Sequence, residues 1–156
     1  MASDHSYKIT LSNNKTEKQA IDYLVSIDKR FLLPSKEGRK QIIEAIGLDK
    51  KYGRTFDLFM LPGHANDEQE ITVKDSENII LIELKTTQKY LPENPKGFFF
   101  GATQNEFDVA EMFGEKYQFC FVSLHPDSLS YSLVTSSELN SLIKNKRTQY
   151  QINLVK

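Results

Sequence analysis

An α/β fold, with a mixed central β-sheet flanked by helices, is what the order of hydrophobic periods predicts. Apolar residues recur every three to four positions near both ends of the chain and once in the middle. Between those stretches the period drops to two, or the apolar run becomes nearly continuous. The middle of the chain reads strand, helix, strand, which demands one crossover. The shorter connections elsewhere favour antiparallel pairing.

The elements follow in order. "NNKTEKQAIDYLVSIDKRFL" is a helix, with Ala20, Ile21, Leu24, Val25 and Ile27 near a 3.6 period, Asn14 or Thr16 as cap, and Pro34 ending the segment. "SKEGRKQIIEAIGL" is a second helix that starts near Ser35 and stops at Gly47. "RTFDLFML" is a strand stopped by Pro62 and Gly63. "QEITVKD" and "SENIILIELKTT" are two further strands, and the short turn around Ser76 predicts a hairpin between them. "KYLPENPKG" is a loop. "TQNEFDVAEMFG" is a helix with Thr103 and Glu106 in capping-box spacing and Gly114 as its stop. "YQFCFVSL" is a central strand and "LSYSLVT" another. Thr135 and Glu138 form a second capping box before the helix "ELNSLIKNK", and "YQINLVK" is a last strand.

Composition bounds the function. The 156 residues suit one domain, 1–156, long enough for a sizeable core. Lys and Arg number 20 against 21 Asp and Glu, so the formal charge of −1 carries no general signature of nucleic-acid binding, although a local basic patch remains open. The single cysteine, Cys120, excludes a disulfide framework within the chain and fits a cytoplasmic setting. No apolar run approaches the roughly 20 residues of a membrane span, and "MASDHSYKIT" lacks the apolar stretch of a signal peptide. The three histidines are scattered without metal-site spacing, and no phosphate-binding glycine loop occurs.

The informative feature is where charge enters the sheet. Alternation along "IILIELK" puts Ile80, Ile82 and Leu84 on one face and Ile79, Leu81, Glu83 and Lys85 on the other. The second face is apolar first and charged only at its end, so the strand is expected to be covered on both sides. "TFDLFML" repeats the pattern, with Asp57 on the face of Thr55, Phe59 and Leu61. An isolated carboxylate there would cost several kcal/mol or be forced to protonate. A lysine or arginine could compensate it; so could a divalent cation.

An Asp in one apolar strand, followed by Glu83-Leu84-Lys85 closing another, resembles the PD-(D/E)XK nuclease superfamily, the restriction-endonuclease-like fold. The likeness covers roughly residues 14 to 124. "ELKTT", a loop, and "FFFGATQNEFDVAEMFGEKYQFCFV" are similar to the Mrr-like branch, in which a "T.NE...A" helix precedes a strand ending in a polar loop. Phe56 stands where the family name has proline.

The resemblance implies a Mg²⁺-dependent endonuclease that hydrolyses phosphodiester bonds in double-stranded DNA, with Mn²⁺ as a substitute. It implies a type II restriction enzyme or its small cleavage subunit. Asp57 and Glu83 would hold the metal with the Leu84 carbonyl, Lys85 would orient the attacking water or stabilise the pentavalent phosphate, and Gln104 would support the site. Some relatives place an acidic residue on the first helix near the metal, which here corresponds to Glu17. Lys50, Lys51 and Arg54 around Tyr52, together with Lys89, are the candidate contacts to DNA phosphates; Lys144, Lys146 and Arg147 form a second basic cluster. One such site cuts one strand, so a double-strand break needs a homodimer or a heterodimer with a second nuclease subunit. A binding module of the same fold without turnover, or a repair or recombination nuclease, are the competing readings.

Overall fold

The computed structural model describes the backbone of residues 2–66 and 71–156 and the side chains of residues 15–66 and 71–156. The elements run α1 (Ala2–Ile27), β1 (Phe31–Leu32), α2 (Lys36–Ala45), β2 (Leu58–Met60), β3 (Ile80–Thr87), α3 (Gln104–Phe113), β4 (Tyr117–Ser123), β5 (Ser130–Thr135) and α4 (Ser136–Leu142). They build an α/β structure around a five-stranded sheet of order β1-β2-β3-β4-β5. Three neighbouring pairs are antiparallel, and β3 with β4 is parallel. The parallel pair is the expected crossover, and α3 makes it.

The sheet is covered on both faces, as the run of β3 requires. On one side Leu58, Met60, Ile82, Leu84, Cys120 and Val122 pack with Phe31 against Ala20 and Leu24 of α1. On the other, Phe59, Leu81, Phe119, Phe121 and Val134 meet Ile42 of α2, Val109 and Ala110 of α3 and Leu139 of α4. Local chemistry sets the helix limits. Ser35 caps α2 by accepting the Gly38 N–H at 3.0 Å, and Gly47, at φ +72°, takes the chain out of it. Both expected capping boxes form, Thr103 with Glu106 and Thr135 with Glu138.

Four expectations are corrected. The first helix begins at Ala2, so Asn14 and Thr16 are interior to it and cap nothing; the Thr16 hydroxyl instead meets that of Thr86 at 3.3 Å. The same helix ends at Ile27, and Phe31–Leu32 become a short strand on β2. The strand and hairpin expected for "QEITVKD" are replaced, where the chain is described, by a 3₁₀ turn over Val73–Glu77; Gln69 and Glu70 lie outside the described residues. There the Asp75 carboxylate accepts the Thr72 N–H at 2.8 Å, a local bond that competes with strand pairing. Finally, "YQINLVK" pairs with no strand and is exposed throughout.

Asp28 explains the end of α1. Its carboxylate accepts the backbone N–H and the guanidinium of Arg30 and the Tyr131 hydroxyl from β5, while its own carbonyl accepts the Phe31 N–H. One side chain thus ties α1, β1 and β5. Hydrogen bonds from Arg30, acting against partial burial, lower its pKa from 3.8 to about 2. A carboxylate lowered in the folded state stabilises the fold above its ordinary pKa and loses that effect as pH falls toward the folded value. Asp28→Asn is therefore expected to lower the urea midpoint at pH 7, and its difference from wild type should shrink steadily below about pH 4. A pH-independent difference would show that the knot is not electrostatic.

Candidate functional site

The β2–β3 ladder stops at Leu58 opposite Ile82, and at that point side chains take over. The Asp57 N–H donates to the Ile82 carbonyl at 2.7 Å, and the Asp57 carboxylate accepts the Leu84 N–H at 2.8 Å. Asp57 thus lies beside Ile82–Leu84 of β3, close enough for its charge to act on Glu83. The approach to Asp57 is fixed from α2. Arg39 donates to the carbonyls of Gly53 and Phe56 at 2.7 and 2.6 Å, and its guanidinium lies 4.0 Å from the Phe56 ring centre. Its charge faces Asp57 and Glu83, yet its hydrogen bonds go to carbonyls, so neither carboxylate is capped by it.

Glu83 and Lys85 emerge from β3 on the side of α3. Lys85 Nζ lies 3.2 Å from Glu83 and 2.6 Å from Glu106, with all three side chains nearly buried. Glu106 comes from the first turn of α3, where its other oxygen accepts the Thr103 N–H at 2.7 Å and the Thr103 hydroxyl. The capping-box glutamate of a helix is thereby also the partner of the candidate lysine.

Burial, then the charge of Asp57, pushes the Glu83 carboxyl up to about 11, with Lys85 acting in the opposite sense. Burial and Asp57 thus favour the protonated form of Glu83, against the pull of Lys85. Burial also acts on Glu106, but hydrogen bonds from Glu83, Lys85 and Thr103 outweigh it and leave that carboxyl below its ordinary value. Burial works against the Lys85 ammonium, and the two glutamates more than offset it, so Lys85 is raised and stays charged. The second oxygen of Glu83, Oε2, is buried without a hydrogen-bond partner.

On the α1 side, Glu17 hydrogen-bonds to Asp57, and burial, then the charge of Asp57, raises its pKa. Glu17 and Asp57 meet, and Asp57 lies close to Glu83. Among the described residues, however, no three His, Cys, Asp or Glu side chains are grouped tightly enough to hold a metal ion by themselves. The donor set that remains is a pair of carboxylates with a backbone oxygen. Mg²⁺ commonly takes one or two carboxylates and keeps several waters, so these residues fit it, and the orphaned Glu83 Oε2 is a ligand in search of a partner.

The other candidates are spread more widely. The Gln104 side chain donates to Asp108 at 2.8 Å on the exposed side of α3, whereas Glu106 is the α3 side chain that reaches Lys85. Lys50 and Lys51 are exposed on a 3₁₀ turn that leads into Asp57, and Arg54 is exposed just after it. That turn rests on α3 through the Asn105 amide, which donates to the Lys51 carbonyl at 3.4 Å. Lys89 is exposed past the end of β3. Comparison of the chain with family models, curated proteins and solved structures gives no match.

The protonation of Glu83 gives a test. A carboxyl raised in the folded state weakens the fold as pH climbs above its unfolded value. Glu83→Gln, a neutral replacement, is expected to raise the melting temperature at pH 8 in chelator, with the gain absent at pH 4, where the unfolded glutamate is protonated as well. A gain of equal size at both pH values would assign the effect to packing.

Proposed function

We propose that the chain is a metal-dependent deoxyribonuclease of the restriction-endonuclease-like, PD-(D/E)XK kind. The observation that carries the reading is the convergence of Asp57, just before β2, with Glu83 and Lys85 of β3 where the β2–β3 ladder ends. Double-stranded DNA is the proposed substrate, and the reaction is hydrolysis of one phosphodiester bond per site. A bound Mg²⁺ would supply an acidified water and polarise the phosphoryl oxygen, with Asp57, Glu83 and the Leu84 carbonyl as its protein ligands.

The chain's own residues do the rest. Asp57, fixed by the Leu84 N–H, presents a carboxylate of set orientation. Glu83 must lose its proton before it can act as a ligand, so metal affinity should rise with pH and binding should release a proton. Lys85 stays charged, and its Nζ would hold a phosphate oxygen or the attacking water. Glu106 keeps that ammonium from collapsing wholly onto Glu83, since it offers the shorter of the two contacts. Lys50, Lys51, Arg54 and Lys89 provide positive charge beside this rim for the DNA backbone.

Lys85→Ala and Asp57→Asn are expected to reduce plasmid nicking in Mg²⁺ by about 100-fold or more, the scale of losing a catalytic charge. Nicking that both variants retain at the wild-type rate would end the proposal. Replacing Lys50, Lys51 and Arg54 together by alanine should flatten the slope of log affinity against log salt by roughly 2–3 units, if each touches one phosphate. An unchanged slope would mean that these side chains are merely solvated.

The Lys85 contacts also favour a second reading, a DNA- or protein-binding module whose carboxylates are neutralised by protein cations. Calorimetric titration with Mn²⁺ separates the two. The nuclease reading requires binding that Glu83→Gln weakens; the module requires none.

A further inference from the structure

Residues 144–156 lie outside the packed fold, with every side chain exposed. Within them Tyr150, Ile152 and Leu154 are 79, 75 and 86% exposed. They alternate with Gln151 and Asn153, so an extended backbone carries all three on one side. An apolar stripe of strand period with no sheet beneath it is a segment made for pairing.

The matching edge belongs to the same chain. Among the described residues β5 is the outermost strand, bound to β4 on one side and to no strand on the other. It has six residues, Ser130–Thr135, the length of Tyr150–Val155. The opposite edge, β1, has only two. Along β5, Tyr131 and Leu133 are only half-buried on the α1 face, an apolar surface left unfinished at the margin of the sheet.

In this structure the tail does not lie on its own β5. After β5, α4 packs Leu139 into the core beneath β4. The chain then reaches α3, where Lys146 Nζ stands 4.6 Å from the Phe107 ring centre. The tail departs over α3. Charge complementarity favours pairing of the tail with an acidic body as well. Residues 143–156 hold four of the 20 basic residues and none of the 21 acidic ones, leaving 16 against 21, a net −5, on the remaining 142. A tail of +4 and a body of −5 attract each other.

We infer that Tyr150–Val155 of one copy adds as an outer strand to the β5 edge of a second copy, reciprocally, so that two chains form a symmetric dimer by exchanging tails. Tyr150, Ile152 and Leu154 extend the face begun by Tyr131 and Leu133, and the basic residues ahead of them lie against the acidic body of the partner. The inference is independent of the phosphodiester chemistry.

Sedimentation of the full chain should give a dimer at micromolar concentration. The double variant Ile152→Lys and Leu154→Lys should be a monomer, with dimer affinity down by roughly 100-fold or more and a melting temperature within a few degrees of wild type diluted to its monomer, because both side chains are exposed. Hydrogen exchange should show the outward amides of Ser130–Thr135 protected in the wild-type dimer and unprotected in the variant. A wild-type monomer at about 100 μM, far above the affinity of a specific dimer, overturns the inference. So does a dimer that survives the double substitution, or protection of β5 that does not depend on concentration, which would place the tail on its own edge. A monomer whose DNA affinity falls on the double substitution assigns the tail to nucleic acid and equally overturns it.

Discussion

The rim of the sheet depends on one hydrogen bond, from the Leu84 N–H to the Asp57 carboxylate. β2 has only three paired residues, and its ladder with β3 ends just before Glu83. Without Asp57 the Leu84 N–H would lose its protein partner at a partly buried position. The side chain thus continues the ladder where the backbone leaves it. Because it does so as a carboxylate, it also fixes negative charge close to Glu83. That charge adds to burial in raising the Glu83 carboxyl, and Asp57 gives Glu17 a partner from the opposite face of the sheet.

Glu106 links the electrostatics of this rim to the stability of α3. One of its oxygens holds the first turn of the helix through Thr103, and the other holds Lys85. A change at Glu106 would therefore disturb both a helix terminus and the lysine. Tyr117, at the start of β4, adds to the rigidity of the same region: its hydroxyl donates to the Thr55 carbonyl, two residues before Asp57. Together with Arg39 on the Gly53 and Phe56 carbonyls, this clamps the segment that delivers Asp57 to the sheet.

Much of this was readable from the residues. The apolar-then-charged face of "IILIELK" predicted a strand covered on both sides, and α1 and α3 cover it. The capping boxes at Thr103 and Thr135 were legible because the donor and acceptor sit three residues apart in sequence. Elements decided by distant partners were not. Phe31–Leu32 looks like the end of a helix until Asp28 gathers Arg30 and Tyr131, the latter 103 residues away. "QEITVKD" has the alternation of a strand, but the bond between Thr72 and Asp75 wins locally. Glu106 was visible only as a helix cap, since nothing in sequence brings it to Lys85. Arg39 gave no signal, because its partners are backbone carbonyls, which every sequence has.

Cys120 lies in β4, between β3 and β5, and α1 covers the face toward which its thiol points. It is fully buried, and burial pushes its pKa well above the ordinary thiol range. A thiolate cannot form there while α1 stays in place. As the only cysteine in the chain, Cys120 makes the first helix its own gatekeeper. The rate at which a disulfide reagent modifies the native protein is a clock for the detachment of α1, read without any added label.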